Sequence, residues 1–326
     1  MPRSPLPPRE GISATSLRAP GGKSTHDKNH LPVPDTIGQW LGEEFPDAPP
    51  EARRSLLTTG DMRNGVGVPV TWDDPVEPGG FYFFHRPVPP EERIPFEISF
   101  VFEDEELLVI DKPHFLASTP NGRFVRECVV TRARTDFNQP ELVAIHRLDR
   151  VTAGLLILSK RPETRGRYQS LFQNRLVDKT YRALAPMPPE DMEFPIVKES
   201  RLYKPRGGRQ VLEVEGEPNA ISHISLLRER DRLREREVGF ESGTVGEYEL
   251  RPLTGKTHQL RVHMNSLGLP ILGDPVYPVD NSPDPYDFSS PLQLLAASIG
   301  FEDPLTRRPR RFESGLTLGL TLGPTP

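Results

Sequence analysis

The stretch that decides the fold is His146–Lys160, HRLDRVTAGLLILSK, in which a polar loop runs directly into an apolar segment. The segment Leu155 to Ser159 has the length and the apolar character of a buried strand. Another short apolar run, Val143 to Ile145, precedes the loop. We therefore predict a strand on each side of the loop, with the carboxylate of Asp149 carried between them.

Further short apolar runs lie on both sides of this unit, and they are separated by turn residues and a few helical patterns. The predicted strands are Ile98 to Phe102, Leu107 to Asp111, Thr180 to Ala185, Ile221 to Leu226, Glu247 to Leu250 and Leu295 to Phe301, with a helix from about Glu163 to Arg175. Strands that outnumber interspersed helices indicate an α+β fold with a mixed, mostly antiparallel sheet.

The composition along the chain predicts five segments. We expect a disordered, basic, proline-rich arm at residues 1–33, a small α+β domain at 34–86, a proline-rich linker at 87–95, a catalytic domain at 96–315 and a tail at 316–326. In the small domain, Thr36 is placed to cap a first helix, and Pro50 to Leu57 predict a second. Asn64-Gly65 predicts a hairpin, followed by a strand with alternating valines at 66, 68 and 70.

The charge is unevenly distributed along the 326 residues. The net charge is −5, yet residues 120–182 hold thirteen Lys or Arg against six Asp or Glu, which is compatible with a surface that binds phosphate and equally with a solvated, arginine-rich helix face. Cys128 is the sole cysteine, so no intrachain disulfide forms, and a reducing, cytoplasmic location is expected. No apolar run approaches the roughly 20 residues of a membrane span.

Several common catalytic motifs are incomplete. Gly255-Lys256-Thr257 resembles the end of a phosphate-binding loop, but Leu250 stands where that loop needs glycine. His258 and His263 are five residues apart, so they do not share the helix face that a zinc pair requires. The sequence also has no Gly-x-Ser-x-Gly nucleophile elbow. We therefore predict neither a metal site nor a nucleotide cofactor.

Asp149 is flanked by Arg147 and Arg150, which favour the anionic form of its carboxylate and so make it a candidate nucleophile or base. Taken alone, this pattern is more typical of a surface turn with an ion pair. Downstream, residues 253–263 predict a helix capped by Thr254 or Thr257, whose N-terminus faces a phosphate in the functional interpretation.

Together these strings resemble the RluA-type family of pseudouridine synthases over residues 97–315. The motifs that carry the resemblance are Val101 to Pro113, His146 to Lys160, Lys179 to Ala183 and Leu253 to Tyr277, in the family's order, with Leu295 to Pro304 as a looser match. Residues 36–86 resemble the ribosomal-protein-type RNA-binding module that often precedes this catalytic domain, although only three arginines there, at 53, 54 and 63, remain to meet phosphate. Ala153 stands where the family often has serine.

The resemblance implies an enzyme that isomerises a uridine in structured rRNA or tRNA, without a cofactor and as a monomer. Asp149 matches the catalytic aspartate, and its role as nucleophile or as base stays open. Arg147 matches the residue that fills the space of the flipped base, Tyr181 the aromatic that stacks on uracil, and Arg261 the partner of the aspartate. Arg150, Lys179 and Lys256 are candidate phosphate contacts.

Two alternatives remain open. The chain could be a catalytically inactive RNA-binding or ribosome-assembly factor on the same fold, or a hydrolase that releases uracil from RNA. The occupied catalytic positions favour the active synthase. The cluster of arginines and acids at residues 228–237 predicts a protruding hairpin tip or a short helix without a defined role.

Overall fold

The computed structural model describes residues 2–22, 31–230 and 245–319. Their contacts divide them into two compact units. The first comprises the described parts of 1–91 with 131–140, and the second those of 92–130 with 141–326. Among the described residues, no helix has both the length and the apolar character needed to cross a membrane.

The first unit holds a small sheet and two helices. Its elements are β1 (Thr15–Arg18), α1 (Ile37–Glu44), α2 (Pro50–Thr58), β2 (Arg63–Asn64) and β3 (Phe81–Phe84), with strand order β1-β3-β2. The Thr36 hydroxyl accepts the N–H of Gln39 and so caps α1 as predicted. Ile37, Trp40 and Leu41 bury the apolar face of α1 in the core of this unit.

Two predictions in the first unit are wrong. Residues 15–18 lie in the segment expected to be disordered, but they pair antiparallel with β3, and Leu17 packs against the core. The strand was not predicted because it has only four residues and lies among prolines and glycines, which are typical of irregular segments. The alternating valines form no strand either, because the Asn64 side-chain oxygen accepts the N–H groups of Val66 and Val68 and so curls the loop.

The second unit is built on one large sheet. Its strands are β4 (Ser99–Glu103), β5 (Leu107–Lys112), β6 (Val143–Ala144), β7 (Ala153–Ser159), β8 (Val177–Pro186), β9 (Ile196–Tyr203), β10 (Leu212–Val214), β11 (Ala220–Arg230), β12 (Val245–Pro252), β13 (Leu294–Glu302) and β14 (Pro309–Glu313). The remaining helices of the described chain are α3 (Val129–Asp136), α4 (Pro162–Gln173) and α5 (Gln259–Ser266).

The strand order is β10-β9-β11-β12-β8-β13-β7-β5-β4, with β14 beside β13 and β6 beside β7. Every pairing described in this sheet is antiparallel except that of β13 with β7. The predicted α+β class with a mixed, mostly antiparallel sheet is therefore confirmed. Helix α4 covers β7 through Tyr168 and Leu171, which lie in one core cluster with Ile157 and Ile299.

The parallel pair of β7 and β13 positions the polar loop at 145–152, because that loop ends where β7 begins. Gly154 is required there. Its φ is +107°, and a Cβ at this position would lie 2.4 Å from the carbonyl oxygen of Ala296 on β13. The close neighbour of Gly154 is therefore the adjacent strand β13.

The sequence patterns did not predict β9, β10, β14 or α3. The tail also differs from expectation, since Leu318 is buried in a cluster with Leu272 and Leu295. Of the cluster at 228–237, residues 228–230 belong to β11, and the other members lie outside the described residues. The domain boundaries and the RNA-binding character of the small domain remain predictions.

We predict that Gly154→Ala lowers the free energy of unfolding by on the order of 2–4 kcal/mol, because it adds both backbone strain and a steric clash with β13. Gly166→Ala is the matched control. Gly166 lies within α4 with open space around it, so alanine there should leave stability unchanged or raise it by about 0.5–1 kcal/mol. Urea denaturation measures both, and equal stability of the two variants would contradict the packing described here.

Candidate active site

Polar side chains at the end of β5 and just after it hold the loop at 145–152 in place. The Lys112 ammonium is fully buried and donates to the carbonyl oxygens of Pro113, Leu116 and Arg150 at 2.9, 2.8 and 3.1 Å. Burial lowers the pKa of Lys112 to about 7. Because one of its acceptors lies next to Asp149, this lysine fixes the backbone at the centre of the loop.

Two further contacts fix the loop on both sides of Asp149. Ser118 donates to the carbonyl oxygen of Leu148 and accepts the N–H of the same residue, at 2.8 and 3.0 Å. On the other side, Nδ1 of His114 lies 2.8 Å from the carbonyl oxygen of Val151. A loop restrained in this way presents its carboxylate with little backbone freedom.

Asp149 meets a buried guanidinium from the start of α5. Arg261 donates from Nη1 to Oδ2 of Asp149 at 3.2 Å, and from Nε and Nη2 to both carboxylate oxygens of Asp274 at 2.8 and 2.7 Å. The side chains of Arg261 and Asp274 are 2% and 0% exposed. Burial opposes the charge of Arg261, but the hydrogen bonds and charges of the two carboxylates outweigh it and raise the pKa of Arg261 above its ordinary value.

Oδ1 is the oxygen of Asp149 left open. Within residues 2–22, 31–230 and 245–319, the polar contacts of this carboxylate go to Oδ2, from Arg261 and, at 3.8 Å, from Nε2 of His258. The Asp149 side chain is 23% exposed and lines a cavity, so the carboxylate is not sealed off from a substrate. The pair with Arg261 therefore orients the carboxylate without covering all of it.

A cavity of about 510 Å³ surrounds Asp149. Its lining includes the loop residues 145–149, the end of α4, the middle of β8 and residues 252–261. This volume lies in the range of small-molecule sites, about 300–1,000 Å³, and can hold one nucleotide. The site thus combines a carboxylate, a guanidinium, an aromatic ring and ammonium groups in one concave space.

Tyr181 and Lys179 project into this cavity from β8. Burial, assisted by the charge of Asp149, raises the pKa of Tyr181 above its ordinary value, so the phenol keeps its proton at neutral pH. Burial and then the charge of Arg175 lower the pKa of Lys179. Its ammonium lies 3.4 Å from the carbonyl oxygen of Thr254, at the opposite wall of the cavity.

Helix α5 does not begin with the predicted threonine cap. Its N-cap is His258, which has a left-handed backbone with φ of +55° and makes no side-chain capping bond. Thr254 instead donates to the side-chain oxygen of Gln259 and accepts the N–H of Ile221. The left-handed conformation turns the imidazole of His258 toward Asp149 and Tyr277.

Known proteins share both the motifs and this architecture. The family described as RNA pseudouridylate synthase matches residues 106–266. The dual-specificity RNA pseudouridine synthase RluA of Vibrio vulnificus is 31% identical over 208 residues, which cover 63% of this chain and 77% of that protein. The protein of the same name from Salmonella typhi is 30% identical over 210 residues, covering 63% and 86%.

The chain belongs to the RluA-type family of pseudouridine synthases. It is accordingly an RNA pseudouridylate synthase, an isomerase. The solved structure of human RNA pseudouridylate synthase domain containing 1 supports the fold, with a TM-score of 0.53 at 20% identity, covering 72% of this chain and 94% of that one.

The structure of this synthase brings most of the predicted site residues together. Besides Asp149, Arg261, Tyr181 and Lys179, the cavity is lined by Arg147 and Lys256, which are exposed at its rim. Arg150 is not in this group. Its guanidinium donates to the carbonyl oxygens of Phe115 and Pro285 and faces the rings of Phe115 and Phe124, so it stabilises the protein behind the loop.

Three functional candidates were missed from the sequence. Asp274 and Lys112 lie inside stretches that carry the family resemblance. The ion pair of Asp274 could not be predicted, because a buried ion pair produces no periodic pattern in the sequence. The burial of Lys112 could not be predicted either, because its neighbours in the sequence give no indication of it. His258 was considered only as half of a zinc pair. The contact of His258 with Asp149 could not be predicted from the sequence, because only the fold brings residues 149, 258 and 261 together at the cavity.

We predict that Asp274→Ala lowers the free energy of unfolding by about 3–5 kcal/mol, because it leaves a buried guanidinium without its two-point partner. Glu302→Ala is the control, since it breaks the exposed pair with Arg307 and should cost less than about 1 kcal/mol. Guanidinium chloride denaturation measures both values. A loss below 1 kcal/mol for Asp274→Ala would contradict a structural role for this ion pair.

Proposed function

We propose that this synthase converts a specific uridine in structured ribosomal or transfer RNA to pseudouridine, with Asp149 as the essential group. The observation that supports the proposal is the open oxygen Oδ1 of Asp149 at the wall of a nucleotide-sized cavity, with Oδ2 engaged by Arg261. Such a carboxylate is already oriented before the substrate arrives, which reduces the entropic cost of reaching the reactive geometry.

The reaction itself needs only nucleophilic, acid–base or electrostatic help from side chains. The glycosidic C–N bond breaks, the uracil turns, and the same sugar carbon bonds to C5 of the ring. The ring nitrogen ends with a proton, and the hydrogen on C5 leaves to solvent, so no net atom or electron is supplied. Asp149 can stabilise the sugar by attacking its carbon or can remove a proton from it, and both routes use the same oxygen.

The uridine must leave its stack in the RNA before it reaches Asp149, which costs a few kcal/mol. In the proposed complex, the flipped uracil stacks on Tyr181, and base–aromatic stacking contributes roughly 1–3 kcal/mol. Arg147 is exposed at the rim, where its side chain can fill the space that the base has left. Together these two residues offset much of the unstacking cost.

The rim carries the positive charge that a nucleotide phosphate requires. Arg175 and Lys256 line the cavity and are exposed, and Lys179 lines it with a half-buried side chain. We assign Lys179 and Lys256 to phosphate contacts. We also propose a cytoplasmic location. Ribosomal and transfer RNA substrates are consistent with it, and so is a chain with a single cysteine.

We predict that Asp149→Asn abolishes pseudouridine formation while RNA binding persists. The amide has the same shape and still accepts from Arg261, but it is neither a nucleophile nor a base at neutral pH. RNA transcribed without modified bases is incubated with the protein and without ATP, and pseudouridine is then detected by carbodiimide derivatisation and primer extension. Filter binding on the same RNA measures affinity.

Asp178→Asn is the matched control, because Asp178 is an exposed carboxylate on the neighbouring strand β8 and lies outside the cavity. It should retain the wild-type rate. Undiminished modification by Asp149→Asn would refute the assigned role. RNA binding by the wild-type protein without any modification would instead favour the assembly factor, and free uracil would indicate a hydrolase.

A further inference from the structure

His258 occupies a position in the site that the assigned roles leave unexplained. Its imidazole is 13% exposed, lines the cavity, and has its two ring nitrogens directed at different partners. Nδ1 lies 3.1 Å from the hydroxyl of Tyr277, and Nε2 lies 3.8 Å from Oδ2 of Asp149. Its backbone is left-handed, a conformation that costs free energy for a residue with a Cβ and that is concentrated at functional sites.

The phenol of Tyr277 is itself fixed. Its oxygen accepts the N–H of Val211 at 2.7 Å, and its single proton has two acceptors within reach, the carbonyl oxygen of Val211 at 3.2 Å and Nδ1 of His258 at 3.1 Å. The ring stands perpendicular to the imidazole of His258 and beneath the guanidinium of Arg261, at centroid distances of 5.7 and 5.3 Å. Tyr277 therefore connects the backbone just before β10 to both residues that face Oδ2 of Asp149.

Electrostatics selects one tautomer of His258. Burial lowers the pKa of His258 to about 4, so the ring is neutral at neutral pH and carries a single N–H. With that N–H on Nδ1, the lone pair of Nε2 would face the Asp149 carboxylate. With the N–H on Nε2, the dipole points at the carboxylate, and Nδ1 accepts the proton of the Tyr277 hydroxyl, which then turns from the carbonyl oxygen of Val211 to the nearer ring nitrogen. The second arrangement is attractive at both ends.

We propose that His258 is a positioning residue. Tyr277 holds its ring so that the Nε2–H points at Oδ2 of Asp149, and this contact keeps Oδ1 turned toward the ribose. The 3.8 Å separation is longer than a hydrogen bond, and catalytic hydrogen bonds commonly shorten when the substrate closes the site. Arg261 supplies the charge for the same oxygen from a second direction. With two donors at Oδ2, rotation of the carboxylate about its Cβ–Cγ bond is blocked.

This inference rests on the proposed role of Asp149, and two amide variants of His258 test it. In His258→Gln the amide nitrogen takes the place of Nε2, and in His258→Asn it takes the place of Nδ1. Asparagine tolerates the left-handed backbone better than glutamine. A role confined to backbone geometry therefore predicts that asparagine is the better replacement, whereas the positioning role predicts that glutamine is.

We expect His258→Gln to keep a single-turnover rate within a few fold of the wild-type rate, and His258→Asn to lose between about 10-fold and 100-fold, as expected for a misplaced reacting group. RNA affinity should be unchanged in both. The reverse order, or equal rates for the two variants, would overturn the inference. If the wild-type protein makes no pseudouridine at all, the proposed function is refuted and the inference about His258 is overturned with it, whereas an active wild-type protein with the reverse order of variants overturns the inference alone.

A spectroscopic measurement tests the same inference without activity. In protein labelled with ¹⁵N-histidine, two-bond ¹H–¹⁵N correlation spectra identify the tautomer of each ring, and His258→Gln assigns the His258 signals. We expect an Nε2–H tautomer at pH 7 in the wild-type protein, and a mixture of tautomers in Tyr277→Phe, which keeps the ring but loses the hydroxyl. An Nδ1–H tautomer or a protonated ring in the wild-type protein would contradict the proposal.

Discussion

The site depends on a guanidinium that is removed from water and shared between two carboxylates. Taking a charge of this kind out of water costs several kcal/mol unless partners compensate for it. Asp274 provides two-point compensation, with both oxygens bonded to Arg261, and its own side chain has no exposure. The remaining donor of Arg261 is thereby fixed in direction, and the position of Asp149 follows from it.

This constraint explains why the sheet and the loop are built as they are. Asp149 and Arg261 are far apart in the sequence, so their contact requires that the loop before β7 and helix α5 be placed to within roughly 0.5 Å of their required positions. The parallel pairing at Gly154 sets the start of β7, and the buried ammonium of Lys112 sets the loop before it. Rigid support of this kind is what keeps a reacting group oriented before substrate binds.

Most of the central strands could be predicted from the sequence, because runs such as Leu107 to Ile110 and Leu155 to Leu158 are continuously apolar and are buried in the structure. The misses have physical causes. Strand β10 has only three residues, Leu212 to Val214, so its apolar alternation is too short to predict a strand, and all three residues are exposed. Of the site, motif resemblance named Asp149, Tyr181 and Arg261, but it could not reveal Asp274 or His258, whose roles arise from contacts across the cavity.

The most direct test of this account is the rate of tritium release from RNA carrying [5-³H]uridine, because joining the sugar to C5 expels that hydrogen. Wild-type protein is compared with Arg261→Lys, which keeps a positive charge but cannot bond to Asp274 and Asp149 at once. With folding verified by circular dichroism, we expect the variant to be about 100-fold slower or more under single-turnover conditions. A folded variant that releases tritium at the wild-type rate would contradict the claim that Arg261 orients the carboxylate.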